Sequence, residues 1–363
     1  MYFTYQPNLK DITEYKESPN INQSLLKFYL FNKESSKEDK KNLAMIMGSF
    51  IDCLITSPFL VEELFYISSS DKLSENIQLI IDKLWNSIEK ENLIYKPLDE
   101  YAAQLIEIAN ELEYRVMWKD ETRLTKILLG KDYWESLHYN INKTPLSRED
   151  WNKGVTIAHK VINNPLVKDL FDNKQVYLNY YFQKAIYWEE TILNGLEKDN
   201  IYCKALIDIY IVDTNKKEIL LIDLKTTQLE INSWLYHCCR GLYYPFQMSF
   251  YKEGLQKLYP HFNIKCEWVY INTNDPDHVY RIECNQDILN IGMYGFTSER
   301  NYTILAEESK NFNVVNNNLV YKGWLECLYK YNTINKNQHT LNSYFYEQTN
   351  GKINSAYVLS KFL

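Results

Sequence analysis

The sequence predicts an α/β protein, a central mixed sheet flanked by helices, and three observations carry that prediction. Up to about residue 170 the apolar residues recur with helical period, whereas beyond residue 174 they gather into short β-branched and aromatic runs of strand length. The run 219–224 is apolar almost throughout, as in a strand buried on both faces. A helical pattern over 243–259 lies between two of the strand runs, in the place of a crossover.

Taken in order, helices are expected over 22–31, 37–60, 74–91, 98–119, 121–129, 132–139, 147–163 and 165–173, with 121–174 a helical elaboration over the cleft. Strands are expected over 175–185, 201–212, 219–225, 265–272 and 279–284. The polar stretch 213–218 has the composition of a hairpin loop, and Thr273 to Asp277, with its Asn-Asp-Pro centre, that of a turn. A late helix is expected over 321–331 and a mobile loop over 307–318, rich in Asn, Lys and Glu. The expected organisation is a mainly helical N-terminal portion, 1–174, that contributes to the cleft, and a sheet-bearing core, 175–363.

The chain has 363 residues with 45% apolar content, enough for a real core in one large domain or two smaller ones. No apolar stretch approaches ~20 residues, so no membrane span is expected, and the start lacks the basic-then-apolar form of a secretory signal. A cytoplasmic protein is expected. Seven cysteines without a Cys-x-x-Cys pair argue against zinc ribbons and iron–sulfur clusters and read as reduced, buried thiols. Six histidines lack ligand spacing, and no Gly-x-x-x-x-Gly-Lys loop is present, which argues against ATP hydrolysis. The net charge of −7 opposes nucleic-acid binding by the whole surface. Lys204, Lys225, Arg240 and Lys252 nevertheless fall in or near the segment singled out next, so a cationic lining inside an acidic molecule is expected.

That segment is the hairpin. If Val212 pairs with Ile219, or Asp213 with Glu218, the register sets Asp208 opposite Asp223, with Cβ atoms roughly 4.5–5.5 Å apart. Alternation puts Lys225 on the face of Asp223, while Ile222 and Leu224 point the other way. Opposed carboxylates need a countercharge, and a divalent cation is the natural one. Asp208, Asp223 and the Leu224 carbonyl are hard oxygen donors suited to Mg²⁺ or Mn²⁺. Phosphodiester hydrolysis needs such a cation, an activated water and relief of developing negative charge, and Lys225 is placed to orient or deprotonate the water and to offset that charge. The plainer reading of Asp-x-Lys at a strand end is a surface ion pair.

Downstream, Gln247 and Tyr251 lie one turn apart on one face of the expected helix over 243–259. Together, Asp208, the run Ile222-Asp223-Leu224-Lys225-Thr226-Thr227 and the Gln247/Tyr251 helix resemble the PD-(D/E)XK nuclease superfamily, in its RecB-like and RecE-like phage exonuclease branch. The resemblance extends weakly upstream to Ser18-Pro19 and to the Gly48-led helix, where Asp52 stands at the place of a metal-binding histidine. It also reaches the segment beginning at Gln183, which stands where the family carries a glutamate. Ile207 replaces the usual proline, and Cys203-Lys204-Ala205-Leu206 follows the family's basic lead-in only in part. The resemblance implies a PD-(D/E)XK (restriction-endonuclease-like) core and a Mg²⁺-dependent deoxyribonuclease, an exonuclease on linear duplex DNA in phage-type recombination with a separate partner protein. It implies metal ligands at Asp208, Asp223, Leu224 and Asp52 with Gln183 in support, DNA contacts at Gln247, Tyr251, Thr226, Lys204 and Arg240, and a ring-forming homo-oligomer. Two rivals remain: an inactive DNA-binding or scaffolding protein on the same fold, and a structural protein whose acidic residues do not face each other.

Overall fold

The computed structural model describes residues 7–31, 43–68, 73–88, 95–171, 177–194, 197–240, 242–297 and 320–333. The expected loop over 307–318 lies outside them. The chain divides into two compact units, Lys41–Asn163 and a second made of Met1–Lys40 with Asn164–Leu363. This differs from the expected boundary at 174, because the first helices join the sheet rather than the helical insert.

Those first helices are α1 (Leu9–Glu17), closed by a reciprocal Asn8/Asp11 capping box, and α2 (Gln23–Phe31), started by Asn22, whose side chain accepts the Leu25 N–H at 2.8 Å. The insert holds α3 (Leu43–Thr56), α4 (Val61–Leu64), β1 (Phe65–Ile67), α5 (Glu75–Ser87), α6 (Ala102–Glu111), α7 (Asp120–Ile127), α8 (Lys131–Tyr139), β2 (Thr144–Leu146) and α9 (Arg148–Asn163). Its core gathers Ile80, Ile81, Leu84, Leu105, Ile127 and Trp134, with β1 and β2 as a short parallel pair. The expected helix over 98–119 stops at Glu111. Glu113 is left-handed at φ 51°, and the Glu113 and Tyr114 N–H groups turn back to the carbonyls of Asn110 and Ala109, which ends a helix. Pro58 ends the expected helix over 37–60, where α3 stops at Thr56.

In the other unit β3 (Leu178–Asn194), β4 (Glu197–Asp213) and β5 (Glu218–Thr227) form a meander, followed by α10 (Ile231–Arg240) and α11 (Tyr244–Leu258). Next come β6 (Asn263–Asn272), β7 (Val279–Glu283), α12 (Gln286–Tyr294) and the short antiparallel pair β8 (Gly295–Thr297) and β9 (Val320–Lys322). A helix over 324–333 fits the expected late helix. The expected helix over 165–173 is instead a single 3₁₀ turn, Lys168–Leu170.

The sheet order is β3-β4-β5-β6-β7, with β5 and β6 parallel and every other neighbour antiparallel, so the expected mixed sheet is present. The parallel pair requires a crossover, and α10 with α11 supplies it. Pro245 begins α11, where its missing N–H costs nothing, and Phe246, Met248, Phe250 and Leu255 bury the helix on one face of the sheet. Close approach to β3 is enforced at Gly254, where a Cβ would fall 2.7 Å from the Trp188 ring. Trp188, Trp234, Trp268 and Trp324 are all core residues, between 0% and 6% exposed.

A candidate acidic site where two strands part

The β4–β5 register is the expected one: Val212 pairs with Ile219 and Asp213 with Glu218, and the ladder runs to Ile209↔Ile222. The next rung would join Asp208 to Asp223, and there the backbone pairing ends. On the other side of β4 the β3 pairing is also interrupted at this level. Phe182↔Ile209 and Lys184↔Ile207 keep one register, but Gln183, left-handed at φ 44°, makes no rung with Asp208. A non-glycine residue in that conformation is strained, and strain of this kind gathers at functional sites. From here β4 keeps β3 but loses β5, and β5 keeps β6.

Side chains take over where the backbone stops. Asp208 accepts the Leu224 N–H at 2.9 Å with Oδ2 and the Gln183 amide at 3.3 Å with Oδ1. A strand residue presents its N–H and C=O to the same edge, so the Leu224 carbonyl leaves β5 toward the same gap. Asp223 and Lys225 share one face and form an ion pair of 2.5 Å, their side chains 2% and 9% exposed. Gln247, on α11, closes this pair into a ring: its amide donates to Asp223 Oδ1 at 3.1 Å and its oxygen accepts from Lys225 at 3.1 Å. The amide also donates to the Tyr251 hydroxyl at 3.1 Å. The Lys225 ammonium stands 4.3 Å from the centre of the Tyr244 ring, a cation–π contact.

Burial alone would push Lys225 down, but Asp223, then Tyr244 and Asp208, outweigh it and hold the ammonium above the ordinary lysine range. Lys225 is therefore a cation here. Burial raises Tyr251, and Asp223 and Asp208 raise it further, so its hydroxyl stays neutral. Lys27, on α2, was not singled out from the sequence. Burial and then the charge of Lys225 push it down to about 8, with Asp223 acting in the opposite sense. A lone lysine within the apolar run Leu25 to Phe31 is the sequence signal that could have found it. Tyr244 carried no such signal, because its role depends on where α11 starts against β5.

Five expected site residues thus meet in one cluster, Asp208, Asp223, Lys225, Gln247 and Tyr251, with Leu224 and Gln183 on Asp208. Thr226 and Lys204 do not join it. Thr226 lies on the opposite face of β5 by alternation. Lys204 donates instead to the carbonyls of Tyr15 and Ser18, each at 2.6 Å, where the end of α1 reaches the sheet. Asp52 lies on α3, in the other compact unit. Arg240 ends α10, and its side chain lies outside the described residues. Gln247 and Tyr251 face inward onto the carboxylate; Tyr251 is 6% exposed.

Among the described residues no group of three or more His, Cys, Asp or Glu side chains gathers as a metal cluster. The donor set is two carboxylates and a carbonyl, all hard oxygen. That suits Mg²⁺, which is commonly bound by one or two carboxylates with its remaining positions left to water and phosphate. Because Lys225 balances the charge of Asp223, the pair is a structural ion pair as well as a candidate ligand site.

No family model matches the chain, and no curated protein matches it. Among solved structures it is similar to that of a protein named SSO0001, at 16% identity and a TM-score of 0.21, over 66% of this chain and 88% of that one. Those values leave any functional reading to the site itself. No helix among the described residues is long and apolar enough to cross a membrane.

Proposed function

We propose that the protein is a metal-dependent deoxyribonuclease of the PD-(D/E)XK type, acting on linear duplex DNA. The observation that supports this reading above all is the buried ring of Asp223, Lys225 and Gln247 beside Asp208, at the point where β4 and β5 part. In this reading Asp208, Asp223 and the Leu224 carbonyl hold Mg²⁺ or Mn²⁺, which supplies charge neutralisation at the scissile phosphate and makes a bound water acidic. Lys225 is held as a fixed ammonium and offsets the negative charge that develops on the phosphorus oxygens. Gln247 locks the rotamers of both Asp223 and Lys225, and Tyr251 fixes the amide of Gln247 in turn. Gln183 and the Leu224 N–H orient Asp208. Phage-type recombination, a partner protein and a ring assembly belong to the same proposal, through the resemblance.

The test is cleavage of end-labelled linear duplex and closed circular DNA in Mg²⁺, Mn²⁺ or EDTA by the native protein and by Lys225→Ala. Loss of the linear substrate alone, dependent on metal and reduced at least about 100-fold by the substitution, is the expected result. A second reading, an inactive DNA-binding or scaffolding protein, is favoured by the neutral amide of Gln183 and by the saturation of Asp223 by Lys225. It predicts no cleavage in either metal from folded protein.

A further inference from the structure

The loop between α1 and α2 enters the gap that β5 leaves. Ile21 makes a parallel bridge to Cys203, its N–H donating to Tyr202 at 2.9 Å and its carbonyl accepting the Lys204 N–H at 2.7 Å. This contact fixes the start of α2 on β4, and Leu26 follows as a core residue, 0% exposed, in the same apolar cluster as Trp188, Cys203 and Phe250. Lys27, the next residue, is carried over the site with Leu26. Its ammonium donates to the Leu242 carbonyl at 3.2 Å, in the short segment that leads into α11. Two residues further on, the ring of Tyr244 lies under Lys225. Lys27 and Lys225 therefore flank one three-residue segment.

The two lysines differ in how their charge is met. Lys225 has Asp223 at 2.5 Å and Gln247 at 3.1 Å. Lys27, among the described residues, meets a neutral carbonyl and no carboxylate within ion-pairing distance, with the charge of Lys225 opposing its own and that of Asp223 acting more weakly in its favour. A long lysine stem normally snorkels so that its head reaches water. Here the helix that carries it is pinned, and the head is held half-buried beside a second cation. Such a position is costly in the free protein and favourable once an anionic oxygen reaches the Lys27 ammonium. Lysine meets phosphate as a point charge of this kind.

We propose that Lys27 is a phosphate-binding residue of this site, engaging a non-bridging oxygen of a DNA backbone phosphodiester beside Asp208 and Asp223. The inference rests on the nuclease reading for the identity of its ligand. It adds to that reading a contact from the N-terminal helices, which places α2 in the substrate path.

The test is binding of a fluorescently labelled duplex oligonucleotide in Ca²⁺, by anisotropy over a salt series, for the full native chain, Lys27→Ala and Lys27→Arg. Inorganic phosphate is added to the same three proteins in EDTA as a thermal-shift probe. Lys27→Ala is expected to weaken duplex binding about tenfold and to lower the slope of log affinity against log salt by about 1, with Lys27→Arg close to native in both. The thermal shift with phosphate is expected in the native and Arg proteins and not in the Ala variant. If the native chain binds duplex and Lys27→Ala keeps its affinity and slope, the Lys27 proposal falls and the nuclease reading stands. If the native chain binds no duplex, the nuclease reading falls. A Lys27-dependent phosphate shift then preserves the anion site, and its absence overturns it. Should Lys27→Ala not fold, as judged by circular dichroism, Lys27→Gln carries the same comparison.

Discussion

The two ends of the β4–β5 hairpin use the same residue types under opposite conditions. At the turn, Lys265 meets Glu218 at 3.1 Å with 58% of the lysine side chain in water. Asp213 there accepts the Asn215 and Lys216 N–H groups, which makes a turn, and pairs with the Lys216 ammonium at 3.7 Å. At the open end, Asp223 meets Lys225 at 2.5 Å with almost no exposure, and Asp208 serves a backbone N–H that has lost its strand partner. The difference lies in what surrounds the charge. A solvated pair gains little from its partner because water screens it, whereas a buried pair depends on its partner because water is absent.

The largest effect expected from this comparison is that of Asp223→Ala, which leaves Lys225 buried without its ion-pair partner, with Gln247, the Tyr244 ring and the more distant charge of Asp208 around it. A loss of about 3–5 kcal/mol in urea unfolding is expected, with a large part restored in the Asp223→Ala, Lys225→Met double variant. A cost near that of a surface pair would mean that the open end is solvated and the comparison unsound. Asp208→Ala comes next. It removes the acceptor from the Leu224 N–H and from the Gln183 amide, and about 1–3 kcal/mol is expected by the same measurement.

The two lysines of the site separate with pH. Lys225 is raised in the fold, so the stability it contributes is complete below its ordinary value of 10.5 and is lost only as pH rises beyond it. Lys27 is lowered to about 8, so the unfolded chain holds the proton more tightly, and stability rises between about pH 8 and 10.5 as the folded protein sheds it. Chemical denaturation of the native protein and of Lys27→Met across that range is expected to show an upward slope that the variant lacks. A native slope equal to that of the variant would place Lys27 in water. At the turn, Lys265→Ala is expected to change stability by no more than about 1 kcal/mol, and by less in high salt.

The hairpin was legible because strand periodicity is exact. Once Val212 and Ile219 are paired, every other pairing follows, and the opposition of Asp208 and Asp223 can be counted from the letters. Gln247 and Tyr251 were legible as neighbours by helical spacing, though their inward direction onto Asp223 was not. The parting of β4 from β5 had no signature, since it depends on the strained backbone of Gln183 and on Ile21 pairing with Cys203, some 180 residues along the chain. The same contact explains why Lys204 was misread as a DNA-facing cation. Its partners, the carbonyls of Tyr15 and Ser18, belong to the C-terminal end of α1, whose position against the sheet no local pattern reveals.

By itself the sequence determined the α/β class, the strand that is buried on both faces, the register of the hairpin and the identity of the acidic pair with its lysine. These follow from periodicities of two and 3.6 residues, which act over a few neighbours. Tertiary structure alone decided which charges are buried, which lysine meets a carboxylate and which a carbonyl, and that the loop between the first two helices enters the gap in the sheet. Those outcomes depend on the removal of water by distant segments, and desolvation is a property of the packed chain that no local spacing encodes.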